Sequence, residues 1–155
     1  MSCYSKLLTN CTEYKDVVNY IENGIGPSGI TGMPASPKAH LVHSLCEDLS
    51  RRAIVVLPDE ASARKFVNDI NEFSGKETAF LFPARDYSFN SSQGQSREYE
   101  QIRIKTLCNI VNKSYGVIAC SVEAALQLTI PPEELKKRTL TIDLSTEAST
   151  EKLID

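Results

Sequence analysis

Apolar positions in this chain fall into two patterns, helical stripes and short continuous runs, and the two alternate. Tyr14, Val17, Val18 and Ile21 recur at helical spacing and predict a short amphipathic helix over 13–23, ended by Gly24, Gly26 and Pro27. Residues 28–31 are read as a short first strand. Ser36 is placed as the cap of the next helix, with Pro37 in its first turn, where a missing N–H costs nothing. Leu41, Val42, Leu45, Cys46 and Leu49 form that helix's apolar face. The run AIVVL at 53–57 is unbroken, the signature of a strand buried on both faces of a parallel sheet. Pro58 breaks it, and Asp59 starts a helix over 60–73 that turns Ala63, Phe66, Val67, Ile70 and Phe73 inward and stops at Gly75.

Residues 78–82 predict another strand, and 83–95 are polar and irregular. A long helix over 96–112 carries Tyr99, Ile102, Leu107, Ile110 and Val111 as its apolar positions. A strand at 117–120 follows, and then Ser121 caps a helix holding Val122, Ala125 and Leu126. Pro131 and Pro132 open a last helical turn. TLTIDL at 139–144 alternates as a half-exposed strand does. The order β-α-β-α-β-α-β places the chain in the α/β class, a parallel sheet flanked by helices on both faces. Residues 1–28 are a lead-in. The tail from 139 to 155 differs in pattern, and the chain is expected to end just inside a second structural unit.

Composition narrows the function classes. At 155 residues and 17.2 kDa there is room for one domain, or one domain and a piece of the next. The 41% hydrophobic and 24% charged shares fit a globular domain and exclude collagen-like, disordered and disulfide-scaffold chains. No apolar run approaches the roughly 18 residues of a membrane span. The opening MSCYSKLLTN has neither an apolar core nor a cleavage site, so a cytoplasmic location is expected. A net charge of -3 argues against direct nucleic-acid binding by this chain but not against protein partners. Five cysteines without CxxC spacing read as reduced thiols, with Cys46, Cys108 and Cys120 packed as small hydrophobes.

The stretch GITGMPAS at 29–36 lies where a phosphate-binding loop belongs, between a first strand and the helix after it. Of the pattern G-x-x-x-x-G-K-[ST], Gly29 supplies the first glycine and Ser36 the final hydroxyl. Pro34 replaces the second glycine, with no N–H to donate and a fixed φ. Ala35 replaces the lysine that neutralises the β- and γ-phosphates. Gly29, Thr31, Gly32 and Ser36 are thus a vestigial loop without its chemistry, or a plain turn into a helix.

Other candidates are weaker. His40, His43 and Cys46 share a helix, but the third has rotated off the face of the first two, and surface histidines beside a core cysteine explain them better than zinc. Asp86 and Asp143 are placed in solvated turn or strand positions. Tyr87 and Phe89 in the irregular stretch could stack on bases, but more simply pin a loop. Arg97, Arg103 and Lys105, mixed with Glu98 and Glu100, read as a solvated helical face. No nucleophile elbow is present. No catalytic residue, metal or bound cofactor is therefore expected.

Taken in order, GITGMPAS, IVVLPDEASARKFVNDINEFSG, FLFPARDYSF, IRIKTLCNIV and GVIACSVEAALQLTIPPEEL resemble the amino-terminal module of the bacterial transcription-repair coupling factor. That module is itself similar to the front of UvrB, the helicase-like excision-repair subunit. The resemblance spans about residues 24–144. UvrB keeps an intact G-V-T-G-T-G-K-T loop and uses ATP there, and it inserts a long aromatic hairpin for damaged DNA. This chain has GITGMPAS and only 88–95 between Tyr87 and the long helix, both as in the coupling factor. It departs from the family at 87–91, where YSFNS stands in place of an L-P-Y-D-like run.

The resemblance implies that 29–138 is the first half of a degenerate P-loop, RecA/helicase-like domain, and 139–155 the start of a small domain. It also implies a full-length protein that uses ATP and magnesium in a downstream motor to move along double-stranded DNA. Such a protein displaces stalled RNA polymerase and recruits UvrA for nucleotide-excision repair. This polypeptide would then be a non-catalytic scaffold that presents the recruiting domain and docks against the motor. A UvrB-like ATPase domain is the alternative.

Overall fold

The computed structural model describes residues 8–85 and 97–139. In chain order its elements are α1 (Thr12–Glu22), α2 (Ala35–Asp48), β1 (Ala53–Leu57), α3 (Glu60–Ser74), β2 (Ala79–Phe82), α4 (Arg97–Val111), β3 (Val117–Ser121), α5 (Val122–Leu126) and α6 (Pro132–Arg138). The three strands form one parallel sheet in the order β1-β3-β2. Ala53 pairs with Val117 on one side of β3, and Ala79 with Val117 on the other.

Alternation along the strands sorts their side chains onto two faces, each covered by helices. On one, Ala39 of α2 and Ala63, Phe66, Val67 and Ile70 of α3 pack with Ala79, Leu81, Val117 and Ala119. On the other, Phe82, Ile118, Cys120 and Ala124 pack with Phe80, Leu107, Ile110 and Tyr115. This is the α/β architecture with helices on both faces that the pattern implies. All five residues of β3 are buried, as befits the central strand.

The ends of α3 show how local chemistry sets the frame. Asp59 stands at the N-cap, its carboxylate accepting from Ser62 N at 2.7 Å and from Ser62 Oγ at 3.0 Å. Gly75 closes the helix at φ 65°, a left-handed geometry that favours glycine. Between them Asn71 reaches across to the start of β2. Its Oδ1 accepts from Thr78 N at 2.9 Å and Ala79 N at 2.8 Å, and its Nδ2 donates to Ala79 O at 3.0 Å. One side chain thereby substitutes for a strand partner at the mouth of β2.

Four expectations are corrected. Residues 28–31 form no strand; 22–32 are exposed throughout. Gly26, Pro27, Ser28 and Gly29 leave Ile30 as the only apolar side chain there, too little to bury a strand. Ser36 is not the cap of α2, because Pro34 takes that position in extended geometry (φ −63°, ψ 173°) and the helix starts at Ala35. β1 is not buried on both faces, since Ile54 is 65% and Val56 53% exposed. It lies at the end of the three-strand order, where α4 packs on β2 and leaves that face of β1 open. Arg103 does not lie on a solvated face; it is buried. Thr139 ends α6 in extended geometry, and the rest of the expected strand at 139–144, Asp143 included, lies outside the described residues.

Candidate functional site

The turn into α2 is the site singled out by sequence, and its geometry follows from its prolines. A helix N-terminus offers anions its first free N–H groups. Here Pro34, the N-cap, has none, and neither has Pro37 in the first turn. Lys38 N is already committed to Pro34 O at 3.3 Å, the first bond of the helix. Only Ala35 and Ser36 keep unspent main-chain donors in that turn. Gly32 adopts φ 77° with open space around its Cα. Gly29 and Thr31 are exposed, and Ser36 is half-buried. Gly29, Thr31 and Gly32 thus follow one another along an exposed connection, Ser36 lies in the first turn of α2, and among the described residues no strand precedes them.

The histidine–cysteine set does not converge. The His40 ring meets that of Phe73 at a 47° tilt, with centroids 5.3 Å apart. His43 is buried rather than at the surface, because it lies one residue past Val42 on the side of α2 turned to the interior; its Nε2 stands 3.8 Å from Glu47 Oε1. Burial pushes the Cys46 thiol up to about 11 and raises that of Cys120 as well, so both resist ionisation. Among the described residues no group of three His, Cys, Asp or Glu side chains is arranged to hold a metal ion. Asp86, Tyr87 and Phe89 lie outside the described residues.

Sequence reasoning missed the polar seam between α4 and β2. Arg103 donates from Nη1 to Pro83 O at 2.6 Å, and its guanidinium lies 4.0 Å from the centre of the Phe82 ring. One turn on, Thr106 Oγ1 donates to Leu81 O at 2.7 Å. Nearby, Gln127 clamps the main chain of Arg85, accepting from its N at 2.7 Å and donating to its O at 3.2 Å. These bonds fix the chain leaving the C-terminal end of β2, the end of a parallel sheet where ligands usually bind. The signal was present: 103, 106, 107 and 110 form one helical stripe, and Leu107 and Ile110 mark it as the inner one.

A cleft of about 650 Å³ opens at the opposite end of the sheet. Arg51, Arg52 and Lys76 line it beside Glu47 and Glu72, so most of its charge cancels. Arg52 rests over the Tyr115 ring at 5.8 Å. The 14 residues of α2 separate this cleft from the turn at 29–36, about 20 Å along a helix axis. Behind it, Tyr14 donates to Asp48 Oδ2 at 2.6 Å and ties α1 to α2; burial, then that carboxylate, raises the phenol above its ordinary range.

No helix among the described residues is long and apolar enough to cross a membrane. No protein-family model matches the chain. It is similar to the UvrABC system protein B of Colwellia psychrerythraea, at 22% identity over 154 aligned positions. The alignment takes in 84% of this chain and 23% of that protein, so the chain spans about a quarter of its relative's length. At this distance the likeness supports a UvrB-like α/β module, consistent with the parallel sheet and its two helical layers.

Proposed function

We propose that this chain is a non-catalytic interaction scaffold of a DNA-repair protein, the UvrB-like module of a transcription-repair coupling factor. The observation that carries the reading is the start of α2. Proline at the N-cap and again in the first turn removes two main-chain donors, and alanine stands where an ammonium group is required. A triphosphate seated there would lose hydration without gaining the donors or the cation that compensate. Gly29, Thr31, Gly32 and Ser36 therefore act as a connection and not as a nucleotide cradle.

In the full-length protein, ATP and magnesium act in a separate downstream motor that moves on double-stranded DNA and displaces RNA polymerase. The present module packs against that motor and carries the domain that recruits UvrA in nucleotide-excision repair. Similarity to UvrABC system protein B supports the repair setting, and the acidic balance supports contact with protein rather than nucleic acid.

Calorimetric titration with magnesium-ATP tests the scaffold reading. No saturable heat is expected; binding in the micromolar range would favour the UvrB-like ATPase reading. The double substitution Pro34→Gly with Ala35→Lys is expected to show no turnover, because hydrolysis also needs an acidic metal ligand and a second lobe closing over the nucleotide. Turnover in that variant would count against the scaffold reading.

A further inference from the structure

Three internal turns of the fold wall the cleft at the amino-terminal end of the sheet: those that follow α2 and α3, and the one that enters β3. Arg51, Arg52 and Lys76 reach it, and among the described residues none of the three has an acidic side chain within ion-pairing distance. Arg64, Lys105 and Arg138, by contrast, each hold a glutamate at 3.0 or 3.1 Å.

Two of the cleft's cations are held in place by groups that leave their charge unanswered. Arg51 donates from Nη1 to Ile21 O at 3.3 Å, a neutral acceptor that takes one of several N–H donors. Arg52 has its guanidinium carbon 5.8 Å from the centre of the Tyr115 ring. A guanidinium resting on an aromatic face keeps the N–H groups in its own plane free, in the fork that matches a carboxylate. Ordering such long side chains beforehand lowers the entropy cost of binding. His43 adds a buried ring nitrogen. Its Nε2 has no hydrogen-bond partner, since Glu47 Oε1 at 3.8 Å is beyond reach.

Charge decides what fits. Glu47 and Glu72 share the lining, so three cations face two carboxylates and one positive charge is left over. The carboxyl ends of α2 and α3 also close on the cleft, and a helix C-terminus carries partial negative charge. A doubly charged phosphate would meet these carboxylates and helix ends at close range. A single carboxylate matches the balance. About 650 Å³ has room for a few side chains of an extended peptide, and Phe73 and Tyr115 offer their stems an apolar surface.

We propose that this cleft takes an acidic segment of a protein partner, with an Asp or Glu carboxylate seated among Arg51, Arg52 and Lys76. The choice of a protein rests on the scaffold reading above. The site lies at the other end of α2 from the turn at 29–36, so the two readings report through different residues.

The probe is a hexaglutamate peptide with blocked ends, added to the isotope-labelled chain at about 0.15 M salt, where weak surface attraction is screened. The amide signals of Arg52, Lys76 and Gly116 are expected to move saturably while those of Gly32, Ala35 and Ser36 stay, and blocked hexaglutamine is expected to move none. Arg52→Gln with Lys76→Gln is expected to weaken binding by about tenfold or more. Lys38→Gln with Lys65→Gln removes the same charge from exposed positions in the first halves of α2 and α3, and is expected to leave binding unchanged. The same spectra show that each variant folds. No saturable movement, movement spread over the exposed lysines, or equal loss in both double variants overturns the proposal. Inorganic phosphate or a DNA duplex that moves the same three signals at lower concentration overturns it in favour of a phosphate ligand. Free glutamate that moves them as well as the peptide does overturns it in favour of a small carboxylate. Magnesium-ATP displacing the signals at the start of α2 defeats the scaffold reading alone and leaves the hexaglutamate result to be read by itself.

Discussion

Replacing Arg103 by methionine removes a buried guanidinium while keeping an unbranched side chain of similar reach. In the folded chain that guanidinium donates to Pro83 O at 2.6 Å and lies 4.0 Å from the Phe82 ring centre. A hydrogen bond from a charged donor contributes about 1.5–3 kcal/mol, and removing it strands a buried carbonyl. A desolvated cation over an aromatic face adds about 2 kcal/mol. Against these stands the desolvation that a buried charge no longer suffers, which offsets part of the loss. The balance is a destabilisation of roughly 2–3 kcal/mol. With a urea slope near 1–2 kcal/mol per molar for a chain of this size, the midpoint should fall by about 1–3 M at unchanged slope. Urea unfolding followed by circular dichroism reads this directly. A midpoint for Arg103→Met corresponding to a change within about 0.5 kcal/mol of the parent would refute the reasoning.

Ile70→Ala opens the core beneath α3, where Ile70 has no exposed surface, and should cost about 2–5 kcal/mol by the same measurement. Cys46, with its thiol pushed up to about 11 by burial, should alkylate far more slowly in the native than in the urea-unfolded chain at mildly alkaline pH, because the thiolate is the reactive form. The sign for stability follows: the raised thiol stabilises the fold below the ordinary thiol range, and that contribution is lost as pH rises toward about 11. Asp59 works in the opposite direction. The Ser62 N–H holds its carboxyl below the usual range, so its contribution is full at neutral pH and lost as pH falls through that lowered value. Melting curves of the parent and of Asp59→Ala should therefore approach one another in acid, and curves that stay parallel would contradict a capping role for the ionised carboxylate.

Much of the frame was legible because local chemistry dictates it. Asp59 and Gly75 bound α3 where their side-chain and backbone preferences place them, and Ser121 caps α5 by accepting from Ala124 N at 3.1 Å. What failed depends on neighbours. An unbroken apolar run such as AIVVL reports that a strand forms, but not whether anything covers its second face, and Ile54 and Val56 are bare there. The charge of Arg103 points it to solvent, yet its place on the Leu107–Ile110 stripe buries it. The polar ring of His43 points it to the surface, yet it too is buried. The expected strand at 28–31 came from the motif it should precede rather than from the glycines and proline that fill it. For the turn itself, the residues on which the proposed reading rests are already in the sequence, since the donors that Pro34 and Pro37 lack are absent in any fold.

The most direct test of the central claim is to follow the main-chain amide signals of Gly32, Ala35 and Ser36 by nuclear magnetic resonance as magnesium-ATP is added. The account predicts that they stay in place up to millimolar nucleotide. Saturable displacement of those three signals, with the rest of the spectrum unmoved, would seat a triphosphate at the start of α2 and contradict it.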